Sequence, residues 1–221
     1  MKQVSSILRY AGGKHRLTPW INSFVRPHKI WIDGMCGGLS VTLGYEGPQR
    51  HEICNDTFEH LINFYRMVQS FPETLKTDID RVASIGYNES TFNDCHHWNE
   101  PLTDWYPIDL AKCFFFRNRM SRDGMFKEYT ESPRTRRGMP EMQSSLLSAA
   151  ESIPLFSARI KNTQFMNMDV LELINYYKDH PQATIYCLLP QSKVRMYDEK
   201  IVEAKDVKIG DWVFCFNQKT Q

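Results

Sequence analysis

The feature that most constrains the fold is a glycine-rich turn that follows a short apolar run. Ile30-Trp31-Ile32 leads directly into Asp33-Gly34-Met35-Cys36-Gly37-Gly38. An apolar run of this length bounded by glycines predicts a buried strand and a tight turn, and residues 39–44 can then begin a helix. A second strand is predicted at residues 51–54 and ends in Asn55-Asp56. Strand, glycine turn, helix, strand and acid form the opening of a doubly wound α/β sheet.

The remainder of the chain divides into three further segments. After Asp56, apolar spacing predicts an amphipathic helix over residues 58–68 with Thr57 as its N-cap. Residues 81–158 show no obvious strand, and we interpret them as an inserted, mainly helical subdomain. The sheet is predicted to resume with strands at 163–166 and 183–186 around a helix at 170–177. We therefore expect segments at 1–80, 81–158, 159–186 and 187–221. In the last segment, short strands are predicted at 194–197, 200–202 and 212–216, with a turn at Asp198-Glu199.

Bulk properties exclude several classes of protein. The net charge is +1, so any nucleic-acid surface must be local. No apolar run approaches the roughly 20 residues that span a bilayer, and the N-terminus is too polar for a signal peptide. Six scattered cysteines fit a reducing compartment, so we expect a cytoplasmic protein. Cys95-His96-His97 has no second ligand pair at suitable spacing, and we expect no metal.

The glycine turn and Asp56 together form a candidate nucleotide site. Glycine lets the backbone approach a ligand closely. Asp56 follows the turn by about 20 residues, a position at which a carboxylate accepts the hydroxyls of a ribose. Many nucleotide-binding proteins share this pattern, and an ordinary tight turn remains the alternative on this evidence alone.

Four ordered signatures make the reading more specific. Tyr10-Ala11-Gly12-Gly13-Lys14 comes first, followed by the glycine turn, by Asn55-Asp56 with Leu61-Ile62-Asn63-Phe64-Tyr65, and by residues 165–173 with Asp169. In this order they resemble the Dam-like DNA adenine methyltransferase family over residues 7–186. The chain departs from the family's Glu-Pro-Phe-x-Gly-x-Gly signature at several positions: the acid is Asp33, the proline is missing, and Leu39 replaces a glycine.

The resemblance implies a Rossmann-like, S-adenosylmethionine-dependent methyltransferase sheet. Tyr10, Lys14 and Asp56 would bind S-adenosylmethionine. Asp33 and Gly37 would line its methionine end, and Asp169 would lie near its adenine. The methyl group would pass to the exocyclic amine of an adenine flipped out of double-stranded DNA.

The insertion would be the target-recognition segment of such an enzyme. Phe114 to Met120 resembles the helix that precedes the family's recognition hairpin. Between Lys112 and Arg137 there are eight Lys/Arg and three Asp/Glu, a local balance of +5. Candidate phosphate-binding residues are Arg117, Arg119, Arg122, Lys127, Arg134, Arg136 and Arg137. For any one of these residues, a solvated basic loop is the alternative.

The family's Asp-Pro-Pro-Tyr motif, which holds the adenine amine, is due after the strand that ends at Tyr186. Cys187-Leu188-Leu189-Pro190 stands there instead. Residues 187–217, with Ile209-Gly210-Asp211-Trp212-Val213, resemble the first block of an intein. The resemblance implies a short all-β, Hint-type fragment in which Cys187 attacks the Tyr186 carbonyl and forms a thioester. A buried cysteine before a chance β segment is the alternative.

Together these readings predict an adenine-specific DNA methyltransferase precursor fragment. We expect the isolated chain to be inactive, and a second chain to supply the rest of the intein and the catalytic half by protein splicing. One alternative is a truncated, non-catalytic remnant that binds only cofactor or DNA. Another is a basic DNA-binding module without a cofactor site.

Overall fold

The fold was analysed in a computed structural model that describes residues 4–10, 12–25, 28–45, 50–85, 88–187, 193–195 and 200–203. The chain forms two compact units, Met1–Ile185 and Tyr186–Gln221. The helices are α1 (Thr18–Ser23), α2 (Ser40–Leu43), α3 (Glu59–Ser70), α4 (Pro72–Ile85), α5 (Glu89–Asp94), α6 (Pro107–Met120), α7 (Glu141–Glu151), α8 (Ile153–Ile160) and α9 (Val170–Tyr177). The strands are β1 (Ile30–Asp33), β2 (His51–Asn55), β3 (Thr135–Arg136), β4 (Met139–Pro140), β5 (Gln164–Met166), β6 (Ala183–Tyr186), β7 (Lys193–Arg195) and β8 (Ile201–Glu203).

A four-stranded sheet in the order β5-β2-β1-β6 organises the first unit. β1 pairs in parallel with β2, and β2 pairs in parallel with β5. The carboxyl ends of these three strands, at Asp33, Asn55 and Met166, therefore meet at one edge. The α/β class that the sequence predicted is confirmed, and the predicted strands of this sheet lie within one residue of the observed bounds.

The main core lies where α3 packs against the sheet and against α6. Tyr65 on α3 stacks on Phe165 of β5 with ring centroids 5.2 Å apart. Phe64 stacks on Phe114 and Phe115 of α6 at 5.7 and 5.9 Å. These aromatic side chains are almost completely buried, and burial of each contributes roughly 1.5–3 kcal/mol. Helix α6 therefore belongs to the same core as α3 and β5.

One detail of the sequence reading was incomplete and another was wrong. Residues 81–158 are mainly helical, but they also contain β3 and β4, which form an antiparallel hairpin. Its two-residue turn, Arg137-Gly138, has φ angles of 55° and 73°, which suits the twist of a tight hairpin. The N-cap of α3 is Phe58 rather than Thr57. Asp56 Oδ1 accepts the Phe58 N–H at 3.0 Å, so the preceding acid satisfies the start of this helix.

A buried ion pair joins α8 to β2. Arg159 donates from Nη1 to Glu52 Oε2 at 2.7 Å and from Nη2 to Glu52 Oε1 at 2.8 Å. Arg159 Nη2 also donates to the Thr42 carbonyl at 2.7 Å. Glu52 is only 7% exposed, and Arg50 Nε lies 3.3 Å from its carboxylate. Since a buried carboxylate needs such partners, this pair fixes the outer helix on the sheet.

The second unit contains an antiparallel pair of strands. β7 pairs with β8, and Val194 lies opposite Val202. The sequence predicted strands at 194–197 and 200–202, which overlap this pair. The predicted turn at Asp198-Glu199 and the predicted strand at 212–216 lie outside the described residues. In the part of the chain that the structure describes, no helix is long and apolar enough to cross a membrane.

Candidate functional site

One buried asparagine ties two of the three strand ends together. Asn55 Nδ2 donates to the Gly34 carbonyl after β1 and to the Met168 carbonyl after β5, both at 3.0 Å. Asn55 Oδ1 accepts the Met168 N–H at 3.0 Å. Ligands of open α/β sheets bind outside the carboxyl ends of the strands. Asn55 therefore sets the spacing of the loops that would surround such a ligand.

The ring of Tyr10 lies directly on the glycine turn. A Cβ added to Gly37 would stand 2.7 Å from Tyr10 Cε1, and one added to Gly38 would stand 3.0 Å from Tyr10 Cβ. Gly37 also has a φ of 44°, in the left-handed region. Both the backbone angle and the aromatic contact therefore require glycine at this position. The structure brings two signatures that are 27 residues apart in the sequence into contact.

Gly37 is held from two sides. Its N–H donates to Asp56 Oδ2 at 3.0 Å, and its carbonyl accepts the Tyr65 hydroxyl at 2.6 Å. Tyr65 is fully buried, so the turn rests on the aromatic core. Asp56 is half-buried, and each of its oxygens accepts one backbone N–H. Each oxygen retains acceptor capacity for a further donor.

Leu39 occupies the position at which the resembled family has glycine. Its φ is 60° and its ψ is 15°, a left-handed conformation. This conformation destabilises a non-glycine residue by about 1–2 kcal/mol. The Leu39 side chain is fully buried, and that burial stabilises the fold by a free energy of similar size. The departure in sequence thus keeps the backbone path of the turn.

An asparagine on α6 positions the residue before Tyr10. Asn118 Oδ1 accepts the Arg9 N–H at 2.8 Å, and Asn118 Nδ2 donates to the Arg9 carbonyl at 2.7 Å. Asn118 Nδ2 also lies 3.3 Å from the Gly124 carbonyl. A Cβ on Gly124 would come within 2.2 Å of the Arg9 carbonyl oxygen. Asn118 and Gly124 therefore fix the backbone that presents Tyr10.

Asp33 is the most strongly perturbed acid of this edge. It is 2% exposed, and its Oδ2 accepts the Thr42 hydroxyl at 2.9 Å. Its Oδ1 has no hydrogen-bond partner among the described residues. Burial raises the pKa of the Asp33 carboxyl from 3.8 to about 7, and the Thr42 hydrogen bond opposes that rise. Asp33 thus lies beneath the turn, with one oxygen available to a polar group that reaches it.

The two remaining predicted cofactor residues lie at the periphery. Lys14 is exposed, and its Nζ donates to the Gly12 carbonyl at 2.7 Å. Asp169 is exposed and caps α9, because its Oδ1 accepts the Leu171 N–H at 2.7 Å. Asp169 follows the Met168 backbone that Asn55 holds. The structure therefore places Asp169 at the edge where β5 ends.

The electrostatics of this edge suit a cationic ligand that carries hydroxyl groups. Burial, with a further contribution from Asp56, raises the pKa of the Tyr10 phenol to about 12. Tyr10 remains 40% exposed, and a neutral aromatic face attracts a cation. A half-buried carboxylate at Asp56 can accept ribose hydroxyls. The Tyr10 ring matches the sulfonium of S-adenosylmethionine, and the Asp56 carboxylate matches its ribose. The glycine turn allows the cofactor to approach the backbone closely. These residues therefore fit the cofactor that the resemblance implies.

The predicted DNA-binding residues divide into three groups. Arg117 and Arg119 turn inward: Arg117 donates to the carbonyls of Phe92 and Phe126 at 3.3 and 2.7 Å, and Arg119 donates to Ser145 Oγ at 2.6 Å. These contacts hold α6 against its neighbours. Arg137 is exposed and pairs with Glu151 at 3.1 Å. The remaining four are exposed and form no ion pair with any described residue: Arg122, Lys127, Arg134 and Arg136.

Sequence reasoning missed Tyr65, Asn55 and Asn118 as positioning residues. Tyr65 and Asn55 stand inside signatures that the sequence analysis did quote. Asn118 lies between two arginines, but it follows Phe114 by four residues on α6 and therefore shares its buried face; it is 1% exposed. A buried amide must find partners, so this helical spacing was the available signal. No group of three or more described Cys, His, Asp or Glu side chains is arranged to hold a metal ion.

Comparison with known proteins gives one match. A family model described as D12 class N6 adenine-specific DNA methyltransferase matches residues 10–187. The matched span contains Tyr10, the glycine turn, Asp56, α6, the β3–β4 hairpin and all four strands of the central sheet. No curated protein matches the chain.

Proposed function

Because the chain belongs to the D12 class of N6 adenine-specific DNA methyltransferases, we propose that its first unit binds S-adenosylmethionine and adenine-containing double-stranded DNA. Methyltransferases of this class generally use S-adenosylmethionine. The observation that supports the cofactor site is the direct contact of Tyr10 with Gly37, together with the hydrogen bond from Gly37 to Asp56.

Each residue of the proposed site has a separate task. The Asp56 carboxylate accepts the ribose hydroxyls, and the Gly37 backbone allows the close approach of the methionine end. The Tyr10 ring covers the cofactor from the N-terminal side, and Lys14 extends from the same signature. Asp33 lies below the methionine end and Asp169 beside the adenine. When bound, S-adenosylmethionine supplies an already activated methyl group, so the task of these residues is to fix its orientation.

DNA binding is assigned to the exposed cations that follow α6. Arg122, Lys127, Arg134 and Arg136 can neutralise phosphates, and Arg137 can do so if it leaves Glu151. Arg117 and Arg119 support this surface from inside. The target adenine must leave the base stack to reach the cofactor.

Calorimetric titration of the full chain tests the cofactor site. Asp56→Ala removes the acceptor of the ribose hydroxyls and should weaken S-adenosylmethionine binding at least tenfold, because a hydrogen bond to a charged group contributes about 1.5–3 kcal/mol. Asp179→Ala removes an exposed acid that follows the end of α9 and serves as the control. Equal affinity in the two variants would refute the assignment of Asp56.

A second proposal concerns the Tyr186-Cys187 bond. Cys187 is half-buried and directly follows β6, at the last residue of the family match. The sequence places no Asp-Pro-Pro-Tyr motif there. We propose that Cys187 attacks the Tyr186 carbonyl, that the amide becomes a thioester with a free Cys187 amine, and that splicing joins residue 186 to a segment with the missing motif. On this proposal the chain does not methylate DNA before splicing.

The thioester has a direct chemical test. Incubation of the chain with dithiothreitol or hydroxylamine should cleave it after Tyr186, and intact-mass analysis should find the fragments 1–186 and 187–221. Cys187→Ala removes the nucleophile and should remain whole. If both proteins stay intact, or if both are cleaved, the splicing proposal is wrong. The cofactor proposal is unaffected by that result.

A further inference from the structure

A second cavity lies between α4, α5 and α6 and shares no lining residue with the candidate functional site. Its volume is about 540 Å³. Cys95 and Cys113 both line it, as do His97 and Trp105. Neither the family match nor the proposed function uses these side chains, so the cavity raises a separate question of what it accepts.

The two cysteines and the histidine are in direct contact. Cys113 Sγ lies 3.2 Å from His97 Nε2. The side chains of Cys95 and Cys113 are also within hydrogen-bonding reach of each other. The His97 ring stacks on Trp105 with centroids 4.1 Å apart and an angle of 11° between the planes. The imidazole is thus oriented by an aromatic neighbour, and it faces a sulfur that has a second sulfur beside it.

This arrangement distinguishes the two sulfurs chemically. The hydrogen bond from Cys95 lowers the pKa of the Cys113 thiol, and Lys112 adds to that effect, while burial and Asp109 oppose it. The pKa of Cys95 is raised, because its proton is held in the same hydrogen bond and because it is buried. The thiolate is the nucleophilic form of cysteine. Cys113, the sulfur that contacts the His97 imidazole at 3.2 Å, is therefore the attacking sulfur.

The other described thiols of this unit lack these features. Cys36 and Cys54 lie in the core, where burial raises the pKa of both thiols well above the ordinary value. Neither sulfur borders the cavity. Reactivity is therefore confined to the Cys95–Cys113 pair among these four buried cysteines.

We propose that Cys113 and Cys95 form a dithiol site that reacts with small organic disulfides entering this cavity. Trp105, Phe116 and Val82 supply apolar lining, so the site suits disulfides with aromatic or apolar substituents. Lys112 already forms ion pairs with Asp78 and Asp109. Little positive charge therefore remains in the cavity to bind a disulfide with acidic substituents.

The reaction balances without a further oxidant. The Cys113 thiolate attacks one sulfur of the disulfide R–S–S–R, a Cys113–S–S–R bond forms, and R–S⁻ leaves and takes a proton. Cys95 then loses its proton and attacks the Cys113 sulfur, which releases the second R–S⁻. Two protein thiols are oxidised to one Cys95–Cys113 disulfide, and the organic disulfide is reduced to two thiols.

Dithiodipyridine, which releases the coloured thiopyridone, is the probe for the full chain. Cys187→Ser and Cys215→Ser are introduced first, in this chain and in every variant of it, because these two cysteines would also release thiopyridone. We then expect a fast phase that releases two thiopyridones from each chain, and a peptide map that shows Cys95 joined to Cys113. In the same map Cys36 and Cys54 should be unmodified at the end of the fast phase. Cys113 labelling no faster than that of Cys36 would overturn the proposal.

Two variants separate the roles of the sulfurs. Cys95→Ser should release one thiopyridone in the fast phase and leave a stable pyridylthio adduct on Cys113. Cys113→Ser should abolish the fast phase and leave Cys95 unmodified. If the Cys113 variant fails to fold, the Cys95→Ser adduct and the wild-type map still decide. Attachment of the adduct to Cys95 in the wild-type chain, or release of two thiopyridones from Cys95→Ser, would contradict the assignment.

Discussion

The replacement Asn118→Ala tests how α6 controls the candidate cofactor site. It removes both hydrogen bonds to the Arg9 peptide, at 2.8 and 2.7 Å, and the contact with the Gly124 carbonyl. Each bond contributes about 0.5–1.5 kcal/mol, and a buried group left unpaired costs about 1–3 kcal/mol. Because Arg9 is only half-buried, water can reach part of its backbone. We therefore expect a loss of about 2–3 kcal/mol, or roughly 4–12 °C in Tm.

The same change should reach the cofactor through Tyr10. Freed from Asn118, the Arg9-Tyr10 backbone no longer holds the ring on Gly37, and S-adenosylmethionine affinity should fall about tenfold, which is ~1.4 kcal/mol. Asn63→Ala is the matched control. Asn63 is a buried asparagine that makes one bond to the α6 side of the core, Nδ2 to the Pro107 carbonyl at 2.8 Å. We expect it to lose about 1 kcal/mol of stability and to keep its cofactor affinity.

Urea unfolding and calorimetric titration with S-adenosylmethionine measure the two effects on the same samples. Titration is performed at a temperature at which both variants are folded. The reasoning is refuted if Asn118→Ala is no less stable than Asn63→Ala. It is also refuted if both variants bind the cofactor with the affinity of the wild-type chain.

Three further predictions follow from the buried and exposed charges. Arg159→Ala should lower the free energy of unfolding, measured in urea, by about 2–3 kcal/mol. This is less than the cost of leaving a buried carboxylate without any partner, because Arg50 remains close to Glu52. An unchanged urea midpoint would contradict the pairing of Arg159 with Glu52. The Asp33 carboxyl titrates near pH 7 in the folded chain and near 3.8 when unfolded. The folded state therefore holds a proton that the unfolded state loses, and stability should fall by up to roughly 4 kcal/mol as the pH rises from 4 to 7; Asp33→Asn should flatten that slope, and an equal slope in both proteins would refute it. Arg134→Gln should reduce the salt dependence of DNA binding by about one phosphate contact and leave the unfolding midpoint unchanged. Arg117→Gln should lower the unfolding midpoint. The reverse pattern would mean that Arg117 binds phosphate and that Arg134 supports the fold.

The sheet could be predicted because its signals are local. β1 is a short apolar run that ends in a glycine turn, and β2 is a short strand that ends in Asn55-Asp56. Both signals lie within a few residues of the strand. The small hairpin was expected only through the family resemblance, because β3 and β4 have two residues each and alternate too briefly to show a period. Its one signal was the Arg137-Gly138 turn, whose residues adopt left-handed angles.

The contacts that complete the site could not be predicted from the chain alone. Asn118 and Arg9 are 109 residues apart, and no local pattern pairs them. A basic stretch also does not show which cations turn inward. Arg117 lies 3.6 Å above the Phe92 ring, while Arg134 is exposed, although both belong to the same run of positive charge. Phosphate contacts and structural contacts use the same side chain.

The position of the bound cofactor is the most direct test of the central claim. Ultraviolet irradiation of the full chain with S-adenosylmethionine labelled in its methyl group, followed by peptide mapping, locates the cofactor without requiring turnover. The account predicts label on the peptide that contains Tyr10 or on the one that spans Gly37 to Asp56, and loss of that label when unlabelled cofactor is added in excess. Label confined to other segments, or label that excess cofactor does not displace, would contradict it.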